Sequence, residues 1–299
     1  MVLAVGLLAA CEVIGPGDRN IEIFTPTDPS AVKRTSLLIE YSGWRCVNCP
    51  VAAEEAHHLK EQYGENLVVV VMHPESNPNT RYGSNQAYNY TCPEADSIYV
   101  KMGGTNTTPF PTGNVNMVKD EVKGYFSDHD KWGTQVSQAY SAPKPVLVNV
   151  DAYPIDTNII FVAVDITNLD SLALDANLQV WLTEDSVMGS QYQPDGSRDT
   201  NYAHNHLLRA SISPLWGEQV EIDGHMTHQV VYEYTWPEKV VMKNCNIVAV
   251  VSTEDEVTQL QTHSSPLLLK QALWLRFPSS LKKAKSSKST LATVHTKTA

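Results

Sequence analysis

Cysteine is scarce in this chain. The five present, Cys11, Cys46, Cys49, Cys92 and Cys245, are spread over 299 residues, too few for a disulfide-dense framework of the kind that holds small secreted domains together. Charged residues make up only 18% and their balance is negative, a formal net charge of -11. A concentrated basic face, which phosphate binding requires, is therefore missing, and no nucleic acid is expected as a partner. Long apolar runs are missing too: past its first residues the chain has no segment approaching the roughly 20 apolar residues of a membrane-spanning helix. A single C-x-x-C occurs, so a zinc ribbon, which needs two further thiolate or imidazole ligands, lacks its second half. Neither a metal nor another cofactor is expected.

What is present begins with an apolar start. Met1 to Ala10 is apolar or small and ends in Leu8-Ala9-Ala10-Cys11, which resembles the lipobox of bacterial lipoproteins. That resemblance implies that the recorded start lies inside a signal peptide, that Cys11 carries acyl chains, and that the protein meets the membrane through this lipid anchor. At the other end, 276–299 holds six Lys or Arg and no acid. A Ser/Lys/Thr-rich stretch without apolar periodicity reads as a solvated, disordered tail.

Between these ends the chain divides in two. Residues 1–31 comprise the leader and a Pro/Gly/Asp-rich linker. The apolar run at Ser36–Ser42 predicts a buried strand, Pro50–Tyr63 a helix stopped by Gly64, and Leu67–Met72, continuously apolar and β-branched, a central strand of a parallel sheet. A modest helix is predicted near Glu94–Met102, a strand over Asn114–Val118 and a helix over Lys131–Tyr140. Two prolines in Ala142-Pro143-Lys144-Pro145 mark the boundary. Beyond it the period changes to alternation. Val146–Val150, Asn158–Ile166, Leu178–Thr183, Gln229–Trp236 and Asn246–Ser252 are predicted strands, with turn chemistry such as Pro194-Asp195-Gly196 between them. The expectation is an α/β domain over 32–141 followed by an all-β, immunoglobulin-like sandwich over 146–265.

The chemistry lies in Cys46-Val47-Asn48-Cys49, where a strand meets a helix. A thiol beside the unpaired N–H groups and positive dipole end of a helix is favoured as thiolate. Cys46 is then the attacking sulfur and Cys49 the one that resolves the mixed disulfide. Arg45 adds positive charge, and Trp44 shields one side. A permanent structural disulfide and half of a metal site are the competing readings of the same four residues.

The strand, the dithiol opening a helix, the strand at Leu67–Met72 and the later Phe110-Pro111-Thr112 together resemble the thioredoxin fold. The resemblance implies a cis-proline opposite the dithiol, at Pro111, and a substrate edge formed by Phe110, Pro111 and Trp44. Thioredoxins place tryptophan directly before the first cysteine, whereas Arg45 intervenes here. Over roughly 11–265, the segments Gly43-Trp44-Arg45-Cys46-Val47-Asn48-Cys49-Pro50, Tyr202-Ala203-His204-Asn205-His206-Leu207-Leu208-Arg209-Ala210 and Trp216-Gly217-Glu218 are similar to the Omp28-related outer-membrane lipoproteins of bacteria. That similarity implies an outer-membrane location and a thioredoxin-like domain joined to a β-sandwich.

Other residues carry weaker signals. His204 and His206 alternate by two, so on a strand both would face one side as metal ligands do; the competing reading has Asn205, His206 and Arg209 pinning loops through hydrogen bonds. His73, ending a central strand, is either a plain strand-terminating histidine, the commoner case, or one that reaches the dithiol region and assists proton transfer, while His57 and His58 are expected to be exposed on the helix. Cys92 is either a third thiol of a relay or a buried residue, and Cys245 a core residue. Tyr82, Tyr88, Tyr90 and Tyr99 are expected to pack a long loop onto the first domain. Two functions follow: an envelope-anchored thiol-disulfide oxidoreductase acting on protein thiols and disulfides, or a non-enzymatic surface lipoprotein binding an extracellular ligand.

Overall fold

In a computed structural model of the chain, the described residues are 34–81, 90–120, 124–142, 146–253, 256–263 and 294–297. Cys11 and the leader, Tyr82 and Tyr88, and the basic tail apart from 294–297 lie outside them. The described chain is β-rich, with three α-helices, all of them before residue 142.

Strand β1 (Ser36–Tyr41) is buried throughout and pairs in parallel with β2 (Leu67–Met72), which is connected to it by helix α1 (Cys49–Tyr63). Gly64 ends α1 at φ 55°, a left-handed conformation that costs glycine little. Helix α2 (Pro93–Lys101) follows, then β3 (Thr112–Val115), antiparallel to β1, and α3 (His129–Ser141). The strand predicted at Asn114–Val118 lies two residues earlier, because Asn116 and Met117 both take φ 55° and break the extended chain. Alternation sorts the first sheet's side chains. Leu38, Leu67, Val69 and Val115 meet Ala52, Ala56 and Leu59 of α1 and Trp132 and Val136 of α3, whereas Leu37, Ile39, Tyr41, Val68, Val70 and Met72 face the other way.

The second half contains ten strands: β4 (Val146–Pro154), β5 (Ile159–Asn168), β6 (Leu174–Glu184), β7 (Val187–Tyr192), β8 (Arg198–His204), β9 (Leu207–Ser211), β10 (Glu218–Ile222), β11 (Thr227–Thr235), β12 (Cys245–Thr253) and β13 (Glu256–His263). A short β14 (Val294–Lys297) runs parallel to β11. β4, β5, β11 and β14 make one sheet. β4 and β5 bury alternate residues, so this sheet covers a core on one face only. β6 and β12 are different. Leu178, Val180, Leu182, Ile247, Ala249 and Val251 point into the core shared with β4, β5 and β11, while Trp181, Val248 and Val250 point into the cluster that holds Ile39, Val70 and Tyr99.

One sheet therefore runs through both halves, in the order β13-β12-β6-β9-β2-β1-β3, with β10 also on β6. The seam is β9 beside β2, where Val71 opposes Leu207 in parallel and the Val71 N–H donates to the His206 carbonyl at 2.8 Å. β7 and β8 form a separate two-stranded ribbon.

Candidate functional site

The dithiol sits at the C-terminal end of β1, where the chain turns through Ser42–Asn48 into α1. Cys49 is the first helical residue and Cys46 lies just ahead of it, the two joined as a disulfide. The helix start carries no compensating negative charge: Asn48 makes no side-chain cap and the first turn holds no acid, so the positive end of the helix dipole lies at the disulfide. Beneath the turn, Gly43 is pressed on Asn79, and the Arg45 N–H donates to the Asn79 carbonyl at 3.0 Å. A Cβ at position 43 would come within 2.6 Å of that carbonyl oxygen, so the tight approach requires glycine.

Both sulfurs are covered, Cys46 being 5% and Cys49 2% exposed. The cover comes from the β7–β8 ribbon. The Tyr192 N–H donates to the Trp44 carbonyl at 2.9 Å, and Gln191 Nε2 donates to the Cys46 carbonyl at 2.9 Å. The Tyr192 and Trp44 rings stack at 6.0 Å, and Arg198 lies over Trp44. Trp44 is accordingly buried, with Arg45 exposed on its other side. The Phe110–Pro111 peptide is cis. Since Thr112 opposes Tyr41, Pro111 stands at the same end of β1 as the dithiol turn. Phe110 packs against Tyr99.

Behind the disulfide is a polar cavity of about 30 Å³, wide enough to admit water. Glu40, Ser42, Cys49, Val71, His73, Gln191, Tyr202 and His204 are among its walls. The strand period explains two of the inward groups: Glu40 shares the α1 face with Leu38, and His73 continues the face of Val69 and Val71. Glu40 is 1% exposed. Burial drives its carboxyl up to about 7, against the lowering effect of the Ser42 hydroxyl, and its Oε1 has no protein partner. His73 is held well below the usual histidine range, first by burial and then by His204 and Arg209, and its Nδ1 is likewise unpartnered. Burial also lowers His204, to about 4, although Nε2 lies 3.2 Å from the Ser190 carbonyl. Glu40 and His204 carried no signal in the sequence as neighbours of the dithiol; the position of Glu40, an acid inside an otherwise apolar strand, was the available clue.

His204 and His206 do not share a face. His204 ends β8, while His206 turns away at φ 58° and pairs with Asp185 at 3.0 Å. Asn205 Oδ1 accepts from the Ser186 N–H at 2.9 Å, and Arg209 lies 3.2 Å from Glu184; these residues pin loops. His57 and His58 are exposed on α1, and Tyr90 and Tyr99 are buried. Cys92 is buried and donates to the Leu208 carbonyl at 3.3 Å. Burial raises its thiol to about 12, which removes it as a third nucleophile of a relay. Cys245 is a core residue whose thiol burial also raises.

No curated protein matches the chain. Among solved structures, HBP35 of Porphyromonas gingivalis is similar in fold at TM-score 0.61 and 15% identity, over 87% of this chain and 80% of that one. A protein of Agrobacterium tumefaciens is similar at TM-score 0.48 and 14% identity, over 77% of this chain and 94% of that one. A domain of the outer membrane lipoprotein Omp28 from Porphyromonas gingivalis shares 25% identity at TM-score 0.30, over 40% of this chain and 86% of that one. The family described as outer membrane protein Omp28 matches residues 102–265, more than half of the sequence. The chain therefore belongs to the Omp28 family, and its location is the outer membrane.

Proposed function

We propose that this is a lipid-anchored, thioredoxin-like thiol-disulfide oxidoreductase of the outer membrane, with residues 32–141 as its redox domain and the immunoglobulin-like sandwich of 146–265 packed on it. Cys11 is the anchor. The observation that carries the reading is the placing of Glu40: a carboxyl with a raised pKa, lining the same cavity as Cys49. A buried acid poised near neutrality on the wall that Cys49 shares supports proton transfer at that sulfur, a step a working pair takes and a permanent bridge does not.

With the pair reduced, the Cys46 thiolate attacks one sulfur of a protein disulfide, forming a mixed disulfide and expelling the other sulfur as thiolate. Cys49 then passes its proton to the Glu40 carboxylate, directly or through water in the cavity. The Cys49 thiolate attacks Cys46 Sγ and releases the second substrate sulfur as thiolate. The products are the Cys46–Cys49 disulfide and a reduced substrate. In the opposite direction Glu40 returns the proton to Cys49. Phe110, Pro111 and Trp44 form the edge against which the substrate chain lies.

The decisive experiment is the reduction potential of the pair, together with disulfide exchange by a Cys46→Ser variant. A potential above about -300 mV and exchange abolished by the substitution are expected; a lower potential marks a structural bridge and ends the redox reading. A second reading has its own support in the covered sulfurs. On it, the disulfide merely braces the turn and the loops of the sandwich bind an extracellular ligand.

A further inference from the structure

We propose that the β7–β8 ribbon occupies, within the chain itself, the groove that receives an extended, cysteine-bearing segment of a partner protein, and that a partner engages the disulfide by displacing it. This rests on the redox reading above and adds both the class of partner and the means of access.

The ribbon does what a bound strand would do. It presents a backbone N–H, that of Tyr192, to the Trp44 carbonyl; it lays a ring against Trp44; and it reaches the Cys46 carbonyl and, at 3.4 Å, the Gly43 carbonyl with Gln191. The Tyr192–Trp44 bond is main-chain and accepts any sequence, and the Cys46 and Gly43 carbonyls are acceptors that a passing backbone N–H could use in place of Gln191, so an extended polypeptide fits where the ribbon now lies.

The ribbon is also built to leave. It pairs with neither sandwich sheet, and the outer strand β8 is largely exposed. Its two feet, Ser186 and His206, both hold φ 58°. They are cross-tied, Ser186 N–H to Asn205 Oδ1 and His206 N–H to Asp185 Oδ1 at 2.7 Å, which fixes a pivot while the blade above it swings. This gives the Tyr202–Arg209 segment a role, since its His204-Asn205-His206 core forms one foot. The blade is latched by Tyr90, whose hydroxyl accepts from the Ser190 N–H at 3.0 Å and fills the space a Cβ on Gly189 would need.

Two full-chain variants unlatch it. Gly189→Ala drives a methyl into Tyr90, and Gln191→Ala removes the bonds to the dithiol turn. Reduction of the disulfide is timed with a small phosphine and with a reduced protein dithiol, while hydrogen exchange follows the Tyr192 amide. Faster exchange at that amide is expected, with the protein dithiol reacting at least tenfold faster and the phosphine changing less than threefold. The inference is overturned if the amide loses protection without any gain for the protein dithiol, if both reagents gain by the same factor, or if neither variant alters the amide. The wild-type potential, measured separately, tests the redox reading whatever the ribbon does.

Discussion

Glu40 is the residue on which chemistry and stability pull apart. In the unfolded chain it ionises at the ordinary glutamate value of 4.5, whereas in the fold burial makes it keep its proton to about 7. Between those values the unfolded state binds fewer protons, so stability falls as pH rises, by about 3 kcal/mol in total at 1.36 kcal/mol per unit. Glu40→Gln should therefore melt at higher temperature than wild type at pH 8 and at nearly the same temperature at pH 4. If Glu40 also serves Cys49, the variant should exchange disulfides more slowly despite its greater stability. Calorimetry beside a turnover assay separates the two effects. His204 acts in the opposite sense: burial holds its folded value at about 4, below the ordinary histidine value of 6.5, so its contribution is complete above 6.5 and is lost as pH falls toward 4. His204→Gln should flatten the acid limb of a pH–stability curve without touching the alkaline limb. Gly113 makes a steric point. A Cβ there would meet the Trp132 ring at 2.5 Å and the Ile39 carbonyl at 2.7 Å, so Gly113→Ala should cost about 1–3 kcal/mol in a denaturant melt.

At the scale of elements, period and punctuation made much of the fold legible. Leu67–Met72 is predicted and found with the same ends because a run of β-branched residues buried on both faces has no competing conformation. β4 and β5 alternate plainly and were visible, although each extends beyond its predicted end. β7–β10 and β13 were not found. β8 is polar and mostly exposed, so it offers no alternation to detect, and its ribbon is held by single residues such as Gln191 and Tyr90, whose partners are far away in sequence. The Pro194-Asp195-Gly196 turn that joins its strands was readable, but what the turn held was not. The dithiol, Trp44 and Pro111 could be named from their motif, whereas the cavity behind them depends on a strand register that no local pattern gives. Between elements, Asn168 acts as a clip. Its Nδ2 donates to the Leu172 and Ile222 carbonyls at 2.8 and 3.0 Å, and its Oδ1 accepts from Asp170, tying the β5–β6 turn to the end of β10. Asn168→Ala leaves the buried Ile222 carbonyl unpaired and frees the turn at 170–172, and a loss of about 1–3 kcal/mol is expected by urea denaturation.

For the whole molecule, the boundary at 142–145 separates two patterns of sequence and two clusters of core residues, but a third cluster crosses it. Tyr41, Val70, Met72 and Tyr99 from the first half share one cluster with Trp181, Leu208, Val248 and Val250 from the second, and β9 lies against β2 within a single sheet. The apolar face of β1 and β2 that α1 and α3 leave uncovered is thus covered jointly by Ala95, Ile98 and Tyr99 of α2 and by strands from beyond the boundary. A fragment of residues 34–142 would expose the part of that face that Trp181, Leu208, Val248 and Val250 cover, together with the free edge of β2, an arrangement that favours aggregation. The intact chain should unfold in one transition, with tryptophan fluorescence, far-ultraviolet dichroism and amide exchange in β2 and β12 sharing a midpoint. The fragment should show no cooperative melt and should bind a hydrophobic dye. Two separated transitions in the intact chain, or a soluble fragment that melts cooperatively, would show that the shared cluster is an ordinary domain contact and that each half holds itself together.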